Sequence, residues 1–394
     1  MNKLTKTLIA ICAVLLVVLV AFGAFLFLSG KDQGVTETVP STEAVTEAPT
    51  EVTTEATTEA TTEATTEATE EVTEEVTEET EVVEAAEVFR NPLTGEIVDA
   101  PFTNRIFAVT NSNVKDALPH IGVTECDIYF EMFIAAGYVR GLTLYTNIEN
   151  VPQIGSVRSN RMNFTDIGLG YDAFVAHAGG SPLVLNDANS SGVEHKNIDT
   201  SSSTSYSFRD MDRKSSGWSW EHCLFVNGPG LKQWAIDNGI RVTQPEGTTY
   251  GLNFVDEGAL EAGDTANTVS IDMIYSGGSP KNTTMVYDSE IGKYVFNQYG
   301  QVMKDGKSGE VESFENVFVL KVREYKTDIY WVADIEGSGD GYYACDGKII
   351  PIKWIRENNT DPFTFTYEDG TPLYQNVGNS YVNLAPLDSV INWE

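Results

Sequence analysis

The sequence is poor in positive charge. Its 394 residues include 25 Lys and Arg against 58 Asp and Glu, which gives a net charge of −33. Asp32–Glu87 contain 18 acids and no base, and residues 88–394 carry a further net charge of −18. Because binding to DNA or RNA needs a basic face, this composition argues against nucleic acid as a partner.

Cysteine is also rare, with four residues in the chain. Cys126, Cys223 and Cys345 follow Cys12 without any Cys-x-x-Cys spacing, so the sequence indicates neither a zinc site nor a redox pair. The last three cysteines cannot all pair with one another. We therefore expect buried free thiols that behave as small hydrophobic side chains, and one disulfide stays an alternative.

One long apolar run is present, Leu8–Leu28, and it contains no charge. About 20 apolar residues span a bilayer as a helix, whereas the apolar core of a signal peptide has about 7–15. Lys3 and Lys6 precede the run, which predicts a signal anchor over residues 1–30 with a cytoplasmic N-terminus. The bulk of the chain is then extracellular at the cell membrane. A lipid-modified Cys12 is less favoured, because a lipid site should end the apolar run.

The next segment, residues 31–88, is rich in Thr and Glu. Its centre repeats Thr-Thr-Glu-Ala four times between Thr53 and Ala68. Low hydrophobicity and charge of one sign predict a disordered, extended stalk. A spacer is the simplest interpretation, and a glycosylated or wall-interacting stalk is the alternative.

The remaining chain divides by pattern into two predicted domains. Residues 89–260 interleave strand and helix signals, which predicts an α/β (or α+β) domain. Residues 261–394 contain short aromatic or β-branched segments between turns, which predicts a β-rich domain of barrel or sandwich type.

Particular segments carry this prediction. In residues 89–260 the predicted strands are Arg105–Thr110, Asp127–Phe133, Val139–Asn147 and Tyr171–Ala178, and the predicted helices are Asn160–Leu169, Leu183–Asn189 and Gly230–Asn238. In residues 261–394 the predicted strands are Met285–Phe296, Asn316–Tyr325, Ile329–Asp334, Tyr342–Ala344, Ile349–Trp354, Phe363–Tyr367 and Ser380–Ala385, with Gly337–Gly339 as a turn.

A glycine-rich turn follows the strand that ends near His177. Gly179 and Gly180 let the backbone approach a ligand closely, and Ser181 with Pro182 suits the start of a helix. Free N–H groups at a helix start attract anions, and ligands bind at the carboxyl ends of strands in open α/β sheets. The pattern therefore indicates either an anion site or a tight structural turn.

Arginines cluster in the same region of an acidic chain. Their planar forks match carboxylate and phosphate groups. The candidate ligand-binding residues are Glu131, Arg140, Arg158, Ser159, Arg161, His177, Gly179, Gly180, Ser181, Arg209, Asp210 and Arg213. Glu131 and Arg140 lie on the two arms of the predicted hairpin, where a pairing between them across the hairpin is one possibility. The alternative is a set of internal salt bridges to Asp166, Asp172, Asp210 and Asp212.

Other chemistries have weaker support. His177 and His222 lack the spacing of metal ligands, and no Gly-x-Ser-x-Gly elbow supports a nucleophile at Ser159 or Ser181. We predict no metal and no cofactor. An enzyme remains an alternative, with His177 as a general acid or base.

At these stretches the chain resembles the YerB-type exported proteins of Gram-positive bacteria, a two-part family of unknown function. The matching residues are Arg90–Gly95, Asp127–Glu131, Ile154–Arg161, Tyr171–Pro182, Arg209, Asp210, Arg213, Tyr294–Gly300, Asn316, Val317 and Gly339–Trp354. Ser156 stands where family members have proline, and an insertion with Trp218 and Trp220 puts a role for His222 in doubt. The resemblance implies an envelope protein without an assigned reaction, and many relatives are lipid-anchored.

These observations favour a membrane-anchored extracytoplasmic module that binds an anionic envelope ligand, such as a wall glycan or a peptide carboxylate. The first alternative is an envelope hydrolase that uses His177. The second is a scaffold for a membrane-protein partner.

Overall fold

The computed structural model describes residues 88–135, 137–199, 202–274, 280–327 and 330–394, which belong to one compact unit. The predicted anchor and all of the predicted stalk except Val88 lie outside these residues. No helix within the described ranges combines the length and the apolar character that a membrane span needs.

Most of the regular structure in these ranges is β-strand, with few helices. The first strands are β1 (Phe89–Arg90), β2 (Ile97–Val98), β3 (Phe107–Ser112), β4 (Ile128–Ala135), β5 (Tyr138–Tyr145), β6 (Ile154–Gly155), β7 (Phe174–His177), β8 (His195–Asn197), β9 (Ser207–Arg209), β10 (Leu224–Val226) and β11 (Asn253–Val255). The α-helices are α1 (Met162–Gly170), α2 (Pro182–Ser191), α3 (Met211–Ser215) and α4 (Gly228–Asp237).

The later part of the chain consists of further strands. They are β12 (Asp264–Thr265), β13 (Thr268–Met273), β14 (Lys281–Asp288), β15 (Lys293–Gln298), β16 (Gln301–Val302), β17 (Ser313–Phe314), β18 (Asn316–Lys326), β19 (Trp331–Asp334), β20 (Gly337–Cys345), β21 (Lys348–Arg356), β22 (Thr364–Thr366), β23 (Tyr374–Asn376), β24 (Ser380–Pro386) and β25 (Val390–Trp393). Short 3₁₀ helices occur at Lys115–Ala117, Ile148–Asn150 and Trp220–His222.

A central sheet combines strands from both predicted domains. Its order is β12-β21-β20-β18-β24-β4-β5-β3-β7-β8, with β19 beside β18 and β22 beside β21. β24 pairs in parallel with β18 and with β4, so strands far apart in sequence are neighbours here. β4 and β24 are almost wholly buried, which is typical of strands with layers packed on both faces.

One face of the central sheet packs against a second sheet, ordered β16-β15-β14-β13-β25 with β17 beside β15. β13 and β15 alternate between buried and partly exposed residues, so this second sheet buries one face. Tyr129 of β4 lies in the shared aromatic core, with its ring centroid 6.1 Å from Phe296 of β15 and 5.9 Å from Tyr381 of β24.

The other face of the sheet is covered by α1 and α2. Phe164 and Ile167 of α1 and Ala188 of α2 join the same buried cluster as Phe130 of β4. The start of α2 follows the predicted pattern. Pro182 is its first residue, and the Ser181 hydroxyl accepts a hydrogen bond from the Val184 N–H at 3.4 Å.

The β-rich character predicted for residues 261–394 is confirmed, and the predicted strands and helices of residues 89–260 agree with β3, β4, β5, β7, α1, α2 and α4 within a few residues. Two predictions in the later part are wrong. Met285–Phe296 is a hairpin of β14 and β15, because Asp288 caps a turn that ends at Gly292 (φ +70°). Gly337–Gly339 belongs to β20, where Gly339 lies opposite Trp354.

The three described cysteines, Cys126, Cys223 and Cys345, are free and buried. This confirms the expectation of free thiols, and the alternative of a disulfide among them does not hold. Burial raises the pKa of Cys126 well above that of an ordinary thiol, so this thiol stays protonated and packs as an apolar side chain.

Candidate functional site

Three of the clustered arginines line one cavity, which we call the arginine cavity. Its volume is about 460 Å³. Arg140 enters from β5, Arg158 and Arg161 from the segment between β6 and α1. The full lining is Ser112, Val114, Lys115, Asp116, Ile134, Ala135, Tyr138, Val139, Arg140, Arg158, Arg161, Glu221 and His222.

Backbone hydrogen bonds fix the segment that carries Arg158 and Arg161. The Arg158 N–H donates to the carbonyl of Thr110 in β3 at 3.0 Å, and its own carbonyl accepts from the Ala178 N–H at 2.8 Å. The Asn160 N–H donates to the Gly179 carbonyl at 2.9 Å. The segment therefore lies between β3 and the glycine-rich turn, and this holds both arginines at the end of the sheet.

Arg140 is the most deeply buried of the three, with 8% of its surface exposed. Its Nη1 donates to the Ser159 carbonyl at 2.7 Å, and no described carboxylate pairs with it. Burial lowers the pKa of Arg140 well below its usual value, and the charges of Arg161 and Arg158 act in the same direction. The three guanidinium groups are thus near enough to repel one another.

Arg161 also has no carboxylate partner among the residues that the structure describes. Its Nη1 donates to the Asn160 carbonyl at 2.6 Å, and its guanidinium lies 4.4 Å from the ring centroid of Tyr330. Its buried Nε has no described partner. Burial lowers the pKa of Arg161 to about 10, a value at which the side chain is still cationic at neutral pH.

Arg158 does have a carboxylate partner, since its Nη2 lies 3.1 Å from Oε2 of Glu221. The Arg158 charge lowers the pKa of the Glu221 carboxyl. Glu221 and His222 reach the cavity because β10, which follows them, pairs antiparallel with β6. The cavity thus combines the cations Arg140, Arg158, Arg161 and Lys115 with two carboxylates, Asp116 and Glu221.

His177 and the glycine-rich turn lie outside this lining. His177 is fully buried; its Nδ1 contacts the Gly179 carbonyl at 2.9 Å and its Nε2 contacts Nδ1 of His195 at 3.0 Å. Burial lowers the pKa of His177 to about 4. The Gly179 N–H donates to the side chain of Asn197. The glycine-rich turn, with His177, Gly179, Gly180 and Ser181, thus packs against the segment that carries Arg158 and Arg161 and does not line the cavity.

Arg209, Asp210 and Arg213 also lie away from the arginine cavity. Arg209 pairs with Asp199 at 2.7 Å and its guanidinium lies 4.4 Å from the Trp220 ring centroid. Asp210 caps α3 by accepting from the Arg213 N–H at 2.8 Å, while Arg213 Nη2 donates to the Ala117 carbonyl at 2.9 Å. These contacts hold the segment around α3 against the rest of the fold.

The suggested pairing of Glu131 with Arg140 is wrong. Arg140 lies opposite Met132 in the hairpin, and successive side chains of a strand point to opposite faces. Glu131 instead lies fully buried in the core between the two sheets, where its Oε1 is 2.5 Å from Nζ of Lys281. Only the tertiary fold could supply that partner, 150 residues away in the sequence.

Several cavity residues were not expected from the sequence, namely Lys115, Asp116, Tyr138 and Glu221. They lie on short turns and a hairpin end whose sequence carries no ligand-binding pattern. No group of three or more His, Cys, Asp or Glu in the described ranges is arranged to hold a metal ion.

Comparison with protein families gives a match over most of the described region. The model described as "Protein of unknown function (DUF3048) N-terminal domain" matches residues 93–241. The model described as "Protein of unknown function (DUF3048) C-terminal domain" matches residues 271–382. The two models together cover more than half of the chain.

A relative in Bacillus subtilis is named "Putative lipoprotein YerB". It is 24% identical over 313 residues, which cover 77% of this chain and 88% of the relative. The crystal structure of the YerB protein from the same organism matches with a TM-score of 0.64 at 22% identity, over 77% of this chain and 99% of that chain. At this identity, the structural likeness concerns the fold.

Proposed function

Because this chain belongs to the YerB-type family, a two-part family of unknown function, we propose a function from its own site: the arginine cavity binds an anionic group of the cell envelope. One observation carries the proposal. Arg140 and Arg161 face the same cavity, and neither has a carboxylate partner among the described residues.

The electrostatics of the cavity favour a negative guest. The buried guanidinium of Arg140 is destabilised by loss of water and by the neighbouring charges of Arg161 and Arg158. A carboxylate or phosphate between these groups would supply the counter-charge and accept several charge-assisted hydrogen bonds. An internal salt-bridge network explains Arg158, which pairs with Glu221, but leaves Arg140 and Arg161 without a described partner.

The proposed location is the outer face of the cell membrane. The supports are the lipoprotein name of the Bacillus subtilis relative and the apolar run Leu8–Leu28 of this chain. In this proposal residues 1–30 span the membrane once, with the N-terminus in the cytoplasm, and residues 31–88 form a spacer that lifts the folded unit toward the wall.

The hydrolase alternative has less support from the geometry. A general acid or base needs access to the substrate proton, whereas His177 is buried and both of its ring nitrogens lie within hydrogen-bonding distance of protein atoms. The scaffold alternative stays a prediction, to be checked by proximity labelling in cells.

The test is retention of the full-length chain, in detergent, on purified cell-wall polymer and on immobilised phosphate. Arg140→Met and Arg161→Met should each weaken retention by roughly 10- to 100-fold, since a hydrogen bond to a charged group contributes about 1.5–3 kcal/mol. Arg323→Met removes an exposed arginine of β18 that is not part of the cavity lining and serves as the matched control.

Retention should fall only for the two cavity variants, while their melting temperatures stay near that of the wild type. Retention of both cavity variants at the wild-type level would contradict the proposal. A loss for Arg323→Met as large as that of the cavity variants would instead attribute retention to the general surface charge.

A further inference from the structure

A second cavity of about 510 Å³ adjoins the arginine cavity, and we call it the tryptophan cavity. Its lining is Asp116, Ser216, Gly217, Trp218, Ser219, Glu221 and His222. Asp116, Glu221 and His222 also line the arginine cavity. The two spaces therefore share a wall of three polar side chains, and a ligand larger than a simple anion can reach both.

Trp218 is held in a fixed position in this second cavity. Its indole Nε1 donates to the Leu118 carbonyl at 3.2 Å, and the guanidinium of Arg213 lies 5.1 Å from its ring centroid. A fixed indole gives a flat apolar surface whose orientation costs little entropy on binding. The segment between α3 and β10, which carries Trp218, thus adds an apolar aromatic surface next to the cations.

His222 provides an independent sign that a polar ligand belongs at the shared wall. Only 6% of its surface is exposed, and its Nδ1 has no hydrogen-bond partner among the described residues. A buried polar nitrogen without a partner is unfavourable unless a ligand or water satisfies it. Burial lowers the pKa of His222, so the ring is neutral at pH 7 and can exchange a hydrogen bond with a hydroxyl group.

We propose that the two cavities form one site for an acidic sugar unit, a pyranose ring that carries a phosphate or carboxylate. The anionic group lies among Arg140, Arg158 and Arg161, and the ring lies against Trp218. The carboxylates of Asp116 and Glu221 accept hydrogen bonds from its hydroxyl groups.

The inference rests on the proposed function and narrows its ligand class. Carboxylates and neutral imidazole accept or exchange hydrogen bonds with sugar hydroxyls, while a second negative charge at the same wall would be repelled. Aromatic faces pack against the apolar face of a pyranose, and a linear polyol phosphate offers no such face. A site with cations, an aromatic face and carboxylates side by side therefore fits a charged sugar better than a free anion or a polyol phosphate.

The experiment is calorimetric titration of the full-length chain in detergent with three probes: glucose 6-phosphate, glycerol 3-phosphate and inorganic phosphate. Glucose 6-phosphate should bind about tenfold more tightly than the other two. Trp218→Leu should remove most of that preference and leave the affinity for inorganic phosphate unchanged. Trp220→Leu is the matched control, because Trp220 lies in the same segment between α3 and β10 but not in the lining of either cavity.

A second variant covers the case in which Trp218→Leu does not fold. Asp116→Ala removes an exposed carboxylate from the shared wall. It should strengthen inorganic phosphate binding, because a negative charge is lost, and yet reduce the preference for glucose 6-phosphate over phosphate.

The outcomes separate the two proposals. If inorganic phosphate binds and Arg161→Met abolishes that binding, the anion site stands. If glucose 6-phosphate then binds no better than glycerol 3-phosphate, or Trp220→Leu acts like Trp218→Leu, the sugar assignment is overturned. If no probe binds the wild type, the proposed function fails together with the inference.

Discussion

Lys281 and Glu131 form an ion pair inside the core, and removing one partner gives the sharpest test of the fold. Lys281 Nζ lies 2.5 Å from Oε1 of Glu131, and neither side chain is exposed by more than a few per cent. Oε2 of Glu131 accepts from Tyr381 at 2.5 Å and from Asn383 at 2.9 Å. Lys281→Met would leave a buried carboxylate without its counter-charge.

The magnitude follows from the burial of both side chains. Breaking a buried pair by removing one partner costs about 3–5 kcal/mol of unfolding free energy. We therefore expect a loss of about 3–5 kcal/mol, or roughly 10 °C in melting temperature.

Urea unfolding of the variant and the wild type measures this loss. The double variant Glu131→Gln, Lys281→Met should recover most of the loss, because neither charge then remains in the core. Lys293→Met is the control, since Lys293 pairs with Glu315 at the same 2.5 Å but is one-third exposed. A loss no larger than that of the control would refute the assignment of Lys281 as the counter-ion.

Two further predictions concern the site. Burial lowers the pKa of His177 to about 4, so the unfolded state gains a proton first as the pH falls. The free energy of unfolding of the wild type should therefore fall by about 3 kcal/mol between pH 6.5 and 4, and His177→Gln should not show this fall. The same pH dependence of stability in both proteins would contradict this prediction. Glu221→Gln removes the carboxylate that pairs with Arg158. It should tighten the binding of inorganic phosphate roughly fivefold, because one charge in a mostly solvated site contributes about 1 kcal/mol. Weaker phosphate binding in calorimetry would show that Glu221 does not compete with the anion.

The sequence shows the arginine-rich stretches, but it does not show which of the arginines lie together in the fold. Arg158 and Arg161 share one segment, whereas Arg140 joins them only because the beginning of β5 lies beside that segment. Arg209 and Arg213 belong to the same cluster in the sequence, but they contact Trp220, Asp199 and backbone carbonyls elsewhere. Spacing along the chain says nothing about which guanidinium finds a carboxylate, since that depends on strand pairing.

The sequence by itself determined the local structure of this protein. Runs of β-branched and aromatic residues specified strands such as β4 and β5, and Ser181-Pro182 specified the start of α2. Both signals depend only on residues that are close together in the sequence. The small number of cysteines and their spacing likewise predicted the free buried thiols.

Only the tertiary structure decided the long-range partners. It placed β24 between β4 and β18, so that strands from the beginning and the end of the described chain share one sheet. It paired Glu131 with Lys281 and brought Glu221 to Arg158. The physical reason is that such contacts are selected by packing and by the pairing of buried charges, and these depend on the whole fold rather than on neighbouring residues.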